Sequence, residues 1–177
     1  MKINSVHILE PLEQQIVELT AKARQDNKEL TGWNGSGTVS NDNKHLHRNI
    51  IGFGAEFIFC KYYNLHCDYS IGNTSKKKGT DNYDAVIDGF TIDVKTTEKN
   101  HPLMIAEYLK SDVDGFAFFH CNYPKYIFKG FATNELLFQE KNKRQTLVKS
   151  YVLEIEDLLN DTEFLFLTKL NKQRNDF

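Results

Sequence analysis

Two runs in which apolar residues recur at every second position flank Asp88-Gly89 in the stretch YDAVIDGFTIDVKTT, Tyr83 to Thr97. Asp-Gly between such runs predicts a β-hairpin with a two-residue loop, in which opposing residues have numbers that add to 177. One face of that hairpin carries Tyr83, Ala85, Ile87, Phe90, Ile92 and Val94, all suited to a core. The other face sets Asp84 directly opposite Asp93, with Lys95 one step further along the same strand.

The rest of the chain divides by the same criteria. Leu12, Ile16, Leu19 and Ala23 recur at helical spacing from Pro11 to about Asn27, with proline in the first turn, which predicts an amphipathic helix. Thr31 to Asn43 is rich in Gly, Ser and Asn and reads as a loop. It holds the only tryptophan, Trp33, a packing plug or an aromatic contact for a substrate. The segment IIGFGAEFIFCKYY, Ile50 to Tyr63, is apolar nearly all round, which predicts a buried helix from Asn49 to about Asn64. Asp68 to Ile71 suits a short strand, and Gly72 to Asn82 is a polar loop with Lys76, Lys77 and Lys78. Leu103 to Leu109 fits strand or helix equally. Asp114 to Tyr123 is a near-continuous apolar run, the mark of a central strand buried on both faces. Tyr126 to Ala132 reads as a further strand, Thr133-Asn-Glu-Leu as a helix cap and first turn, and Tyr151 to Ile155 as a last strand. An acidic turn and the apolar run Phe164 to Leu167 follow. This order predicts one mixed sheet flanked by helices, α/β or α+β in class.

At 177 residues the chain is expected to form a single domain, long enough to bury about 70% of its unfolded surface. Its 13 phenylalanines and 8 tyrosines supply the core. A formal charge of −2 gives no global attraction to nucleic acid, so any such binding must use a local basic patch. The three cysteines, Cys60, Cys67 and Cys121, include no CxxC pair and read as reduced residues. His66-Cys67 and His120-Cys121 lack the spacing of a zinc site. Without a signal-type N-terminus or an apolar run of membrane-spanning length, the expectation is a cytoplasmic protein with no membrane partner.

Charge placement then points to chemistry. Opposed carboxylates at Asp84 and Asp93 cost roughly 0.2–1 kcal/mol where an opposite-charge pair would stabilise. A divalent cation between them reverses the sign, and Mg²⁺ takes hard oxygen ligands. The only formal charges of the apolar helix are Glu56 and Lys61, five residues and roughly 140° apart, so they do not pair as an i,i+4 couple does. A buried Glu56 needs a partner, and a metal ion or metal-bound water would serve. The alternatives are a narrow exposed stripe of Glu56 with Asn49 and Gly52, and a hairpin whose Asp/Asp/Lys face is merely solvated.

Glu56, then Asp84, then Asp93-Val94-Lys95, on helix, strand and strand, resembles the PD-(D/E)XK nuclease superfamily of restriction-endonuclease-like fold. The resemblance runs from Asn49 to Thr133 and includes Gly52 to Glu56 and Ile92 to Thr97. Tyr83 stands where the family has a proline, a position with no catalytic atom. The resemblance implies a central mixed sheet flanked by helices, with an N-terminal helix and loop (1–48), a catalytic core (49–133) and a C-terminal completion of the sheet (134–177). It implies an endodeoxyribonuclease using Mg²⁺, or Mn²⁺, held by Asp84, Asp93, the Val94 carbonyl and Glu56. Lys95 is then a general base or an electrostatic stabiliser of the transition state.

For DNA contact the candidates are Lys76, Lys77 and Lys78 in the loop before Asp84, Arg48 near the start of the buried helix, and Thr96 with Thr97. His45 and His47 beside Arg48 read as a hydrophilic loop. A homodimer is left open. The other reading is a catalytically silent DNA-binding or interaction protein of the same fold, although such a protein has no physical reason to keep opposed carboxylates.

Overall fold

The computed structural model describes residues 1–30, 42–71 and 83–175. Strand β1 (Val6–Ile8) leads into helices α1 (Pro11–Leu30) and α2 (Asp42–Tyr63). Next come β2 (Ala85–Ile87), β3 (Phe90–Thr97), β4 (Leu103–Ala106), β5 (Gly115–Asn122) and β6 (Lys125–Thr133). Short helix α3 (Asn134–Leu137), β7 (Lys143–Gln145), β8 (Lys149–Leu153) and α4 (Asp161–Asn175) complete the described chain. Five strands form a mixed sheet in the order β1-β6-β5-β3-β2, and β4-β8-β7 form a separate antiparallel sheet. The β3–β5 pair is parallel and the other pairs of the large sheet are antiparallel. No helix among the described residues is long and apolar enough to cross a membrane.

Strand β5 explains the layering. Its Ala117, Phe119 and Cys121 join a core with α1, α2 and α4, through Val17, Phe53, Phe59 and Phe164. Its alternate residues Phe116 and Phe118 join a second core with Leu103, Ile105, Tyr151 and Leu153 of the small sheet. A strand apolar at every position can be satisfied only between two layers. At the end of β6, Thr133 Oγ1 accepts from Leu136 N at 3.1 Å, the cap anticipated from its sequence.

Several expectations change. In α1 it is Val17 and Ala21 that are buried, whereas Leu12 and Leu19 face solvent, so the packed stripe is rotated from the one drawn through the leucines. Helix α2 starts at Asp42, earlier than Asn49. Asp68 to Ile71 joins no ladder; carbonyls of Asp68 and Ser70 are taken instead by Arg24. Leu103 to Leu109 is both things in turn, strand β4 and then a 3-10 turn over Glu107–Leu109. The Phe164 run lies in α4, with the Phe164 ring stacked on Phe131 at 4.6 Å. Strands β1 and β7, three residues each, were not anticipated.

Helix α2 lies close against the sheet at Gly54, where an added Cβ would run into the Tyr126 hydroxyl and its ring carbon. Gly54→Ala should therefore destabilise by roughly 1–3 kcal/mol. Combining it with Tyr126→Phe should recover part of the loss, although the Tyr126 hydroxyl also donates to Ile51 O at 3.3 Å. Urea titrations of the two single variants and the double variant check this; strictly additive losses would contradict the close approach.

Candidate active site

The hairpin has the register expected, with Ala85 opposite Ile92, Val86 opposite Thr91 and Ile87 opposite Phe90. Asp88 and Gly89 form the turn with φ of 50° and 81°, the left-handed values a two-residue loop of this kind demands. Ala85, Ile92 and Val94 are buried beneath α2. Tyr83, drawn on the same face, is half exposed, because the ladder stops before reaching it.

Asp84 marks that stop. Its N–H donates to Ile92 O at 2.8 Å, and its carboxylate then accepts from Val94 N at 2.6 Å. A side chain thus fills the place of the next strand carbonyl, so the carboxylate lies along the sheet edge. Asp93 and Lys95, two apart on β3, share a face and meet directly, Nζ to Oδ1 at 2.5 Å. Because β2 pairs only with Phe90 to Ile92, β3 from Asp93 onward is an edge among the described residues. Groups from both sides of the sheet meet around that edge.

Glu56 comes to it from α2. Its partner in the chain is Arg24 of α1, Nη1 to Oε2 at 3.4 Å, and both side chains are about four-fifths buried. Arg24 also donates to the carbonyls of Asp68 at 2.7 Å and Ser70 at 3.2 Å, and its guanidinium lies 4.6 Å from the Phe53 ring centre. Asn49, one helical stripe with Glu56, is bonded to Gln25 of α1 at 2.7 Å. That stripe therefore faces α1, not solvent. Sequence reasoning missed Arg24: nothing local connects it to a glutamate 32 positions on.

The electrostatics record the crowding. Burial, then Glu56, then Asp93 push the Asp84 carboxyl up to about 8, against the Val94 N–H and Lys95. Glu56 is also raised, chiefly by burial and further by Asp93, while Arg24 and Lys95 oppose. Asp84 and Glu56 thus each feel Asp93 as a repelling neighbour and Lys95 as an opposing cation, and Glu56 has Arg24 besides. Around Asp84 opens a cleft of about 370 Å³, lined among others by Leu65, His66, Asp68 and Tyr83. Even so, among the described residues no three His, Cys, Asp or Glu side chains are grouped to close on a metal ion.

The other candidates divide. Thr96 Oγ1 is buried with no hydrogen-bond partner among the described residues; by alternation it points with Val94 toward α2. Thr97 Oγ1 accepts from Lys99 N. Arg48 is exposed in the second turn of α2, not at the helix start, because the helix begins six residues earlier. His47 bonds Glu98 at 2.8 Å. Lys76, Lys77, Lys78 and Trp33 lie outside the described residues. The three cysteines are buried and form no disulfide. Compared with models of known families, with curated proteins and with solved structures, the chain matches none.

The electrostatics make two stability predictions. With its folded value raised from about 3.8 to about 8, Asp84 binds its proton more tightly in the folded state. Its contribution to stability is therefore greatest at low pH and is lost as pH rises through about 8. Asp84→Asn should flatten that fall and raise Tm at pH 8 by at least about 2–4 °C, the shift equivalent to 1 kcal/mol at this size. Melting curves from pH 4 to 9 decide it; parallel profiles would contradict the coupling. Arg24→Ala should cost on the order of 2–3 kcal/mol by orphaning a carboxylate and two carbonyls. Glu56→Gln in that background should restore part of it, as a double-mutant cycle by denaturant titration would show.

Proposed function

We propose that the chain is a divalent-metal-dependent endodeoxyribonuclease of the PD-(D/E)XK kind, with a restriction-endonuclease-like fold. The observation that carries the reading is the convergence of Glu56, Asp84 and Asp93 on one sheet edge, with Lys95 bonded to Asp93. A hairpin running into a parallel β3–β5 pair, backed by α2, supports it as the scaffold.

The donor set suits Mg²⁺ or Mn²⁺. Carboxylates and a main-chain carbonyl are hard ligands, and a divalent charge offsets the burial, and then the repulsion by Glu56 and Asp93, that raise Asp84. Asp84, Asp93, the Val94 carbonyl and Glu56 would hold the ion, which supplies Lewis-acid polarisation of a phosphoryl oxygen and a more acidic water. Lys95, ion-paired to Asp93 and two-fifths exposed, places an ammonium where charge develops on the phosphate. Arg24 fixes the Glu56 carboxylate, leaving its remaining acceptor positions to orient a water. A catalytically silent DNA-binding protein of this fold is the second reading, favoured by the partner each carboxylate already has in the chain.

Supercoiled plasmid, linear duplex, single strand and a four-way junction, each with Mg²⁺ or with EDTA, test the proposal. Cleavage should require metal, and Lys95→Ala should lower the rate about 10²–10³-fold with metal binding retained. Calorimetry should show Mg²⁺ or Mn²⁺ binding that releases protons near pH 7 and is weakened by Asp84→Asn. Wild-type rates in Lys95→Ala would remove the assigned role. DNA binding without cleavage of any substrate would favour the silent protein.

A further inference from the structure

The small sheet covers only part of the face of the large sheet that carries Asp93 and Lys95. Phe116 and Phe118 of β5 are buried beneath it, but His120 and Asn122, further along the same face, emerge toward solvent. In β6, Lys125 is exposed and Ile127 and Lys129 are half-buried, while the alternate Tyr126 and Phe128 pack against the helices. In β1, exposed Val6 and Ile8 stand in register with Ile127 and Lys125. On the catalytic side Lys95 is in register with Phe118, and Thr97 with His120. The bare surface therefore runs from Thr97, next along that face of β3 from Lys95, across His120 of β5 and Ile127 of β6 to Val6 of β1.

Its charge is one-sided. Residues 115–133, which make β5 and β6, contain Lys125, Lys129 and His120 but no Asp or Glu. Lys99 and His101 stand at the near end, with the His101 carbonyl 3.0 Å from His120 Nε2. Of the acids around it, Asp93 is engaged by Lys95, Glu98 by His47 and Glu18 by the Tyr123 hydroxyl. Among the described residues Lys99, Lys125 and Lys129 form no ion pair. The pairing of β5 with β6 shifts by one residue after Phe118, which leaves Lys129 outside the ladder; its Nζ donates to Asn4 Oδ1 at 3.2 Å. Burial chiefly lowers the His120 imidazole from its ordinary value, against the hydrogen bond to the His101 carbonyl, and Lys129 and His101 add to the lowering. This cationic field sits on a chain whose net charge is −2.

We infer that this bare face is the surface on which duplex DNA is held, its phosphates on Lys99, Lys125 and Lys129; the assignment rests on the nuclease reading. From β3 to β1 is three strand spacings, about 14 Å. That length of duplex carries about eight phosphate charges, ample for the lysines present. The floor, Val6, Ile8 and Ile127 with His120 and Asn122, carries no arginine to read a guanine edge, so the contacts are chiefly to the backbone and largely independent of base sequence. Strand alternation delivers the held duplex to the edge where Asp93 and Lys95 lie.

The test is anisotropy of a labelled duplex in EDTA, at several salt concentrations, with wild type, the triple variant Lys99→Gln/Lys125→Gln/Lys129→Gln, and Lys95→Ala. The triple variant should bind at least tenfold more weakly for every sequence tried. Its plot of log affinity against log salt should flatten by up to about 0.9 for each phosphate that the missing ammonium groups leave unneutralised. Lys95→Ala should still bind duplex with a salt dependence steeper than that of the triple variant while losing cleavage, which separates holding from chemistry. Duplex should also shield Lys125 and Lys129 of the wild type from acetylation, a readout that stands even if the triple variant folds poorly. Unchanged affinity and slope in the triple variant, beside a wild type that cleaves DNA, would overturn the surface and leave the nuclease standing. A wild type that neither binds nor cleaves any DNA would overturn both. Loss of self-association with DNA affinity intact would reassign the face to a second copy of the chain.

Discussion

Ile92 and Val94 are packed beneath α2, and the two-residue period of a strand then leaves Asp93 and Lys95 no choice of side. A slip of one residue would bury both charges and expose both aliphatics, so the apolar packing under α2 fixes the polar face with the full weight of the core. The same packing sets α2 close enough, through Gly54 against Tyr126, for Glu56 to reach the strand edge. Asp84 depends on it as well, since its carboxylate is anchored by the N–H of Val94. Geometry at the edge is thus inherited from hydrophobic burial, and the polar contacts of Arg24 and Val94 N–H then orient the carboxylates within it.

The carboxylates also contribute repulsion, held in check by specific neighbours. Arg24 answers Glu56, Lys95 answers Asp93, and a main-chain N–H answers Asp84. Of these the last supplies no charge, and burial, then Glu56 and Asp93, push the Asp84 carboxyl up to about 8 against it. A site arranged this way is most stable with a proton on Asp84.

Much of this was legible in the sequence because it rests on short-range rules. The Asp88-Gly89 turn fixed the pairing of Ala85 with Ile92, the unbroken apolar run fixed β5 as the central strand, and Thr133 announced its cap. The need of Glu56 for a partner was also legible, but not the partner's identity, since Arg24 arrives through the packing of two helices. The rotation of the α1 stripe toward Val17 and Ala21 has the same origin: leucine spacing describes what could be buried, and the neighbouring helix decides what is. Three-residue strands such as β1 and β7 have too few positions to show a period at all. Asp68 to Ile71 had a strand's composition and lost its backbone acceptors to one guanidinium.

That β5 belongs to two cores at once has a consequence for how the molecule opens. Its amides are hydrogen-bonded on both sides, to β3 and β6, and shielded above and below, so they should exchange with solvent only through global unfolding. Asp93 and Lys95 lie on β3, zipped directly to that slowest-exchanging strand. Asp84 lies one step beyond a three-residue edge strand, where fraying is cheapest. The two aspartates therefore ride on foldons of different stability, one rigid jaw and one compliant jaw, and opening of the compliant one leaves the rest of the site assembled.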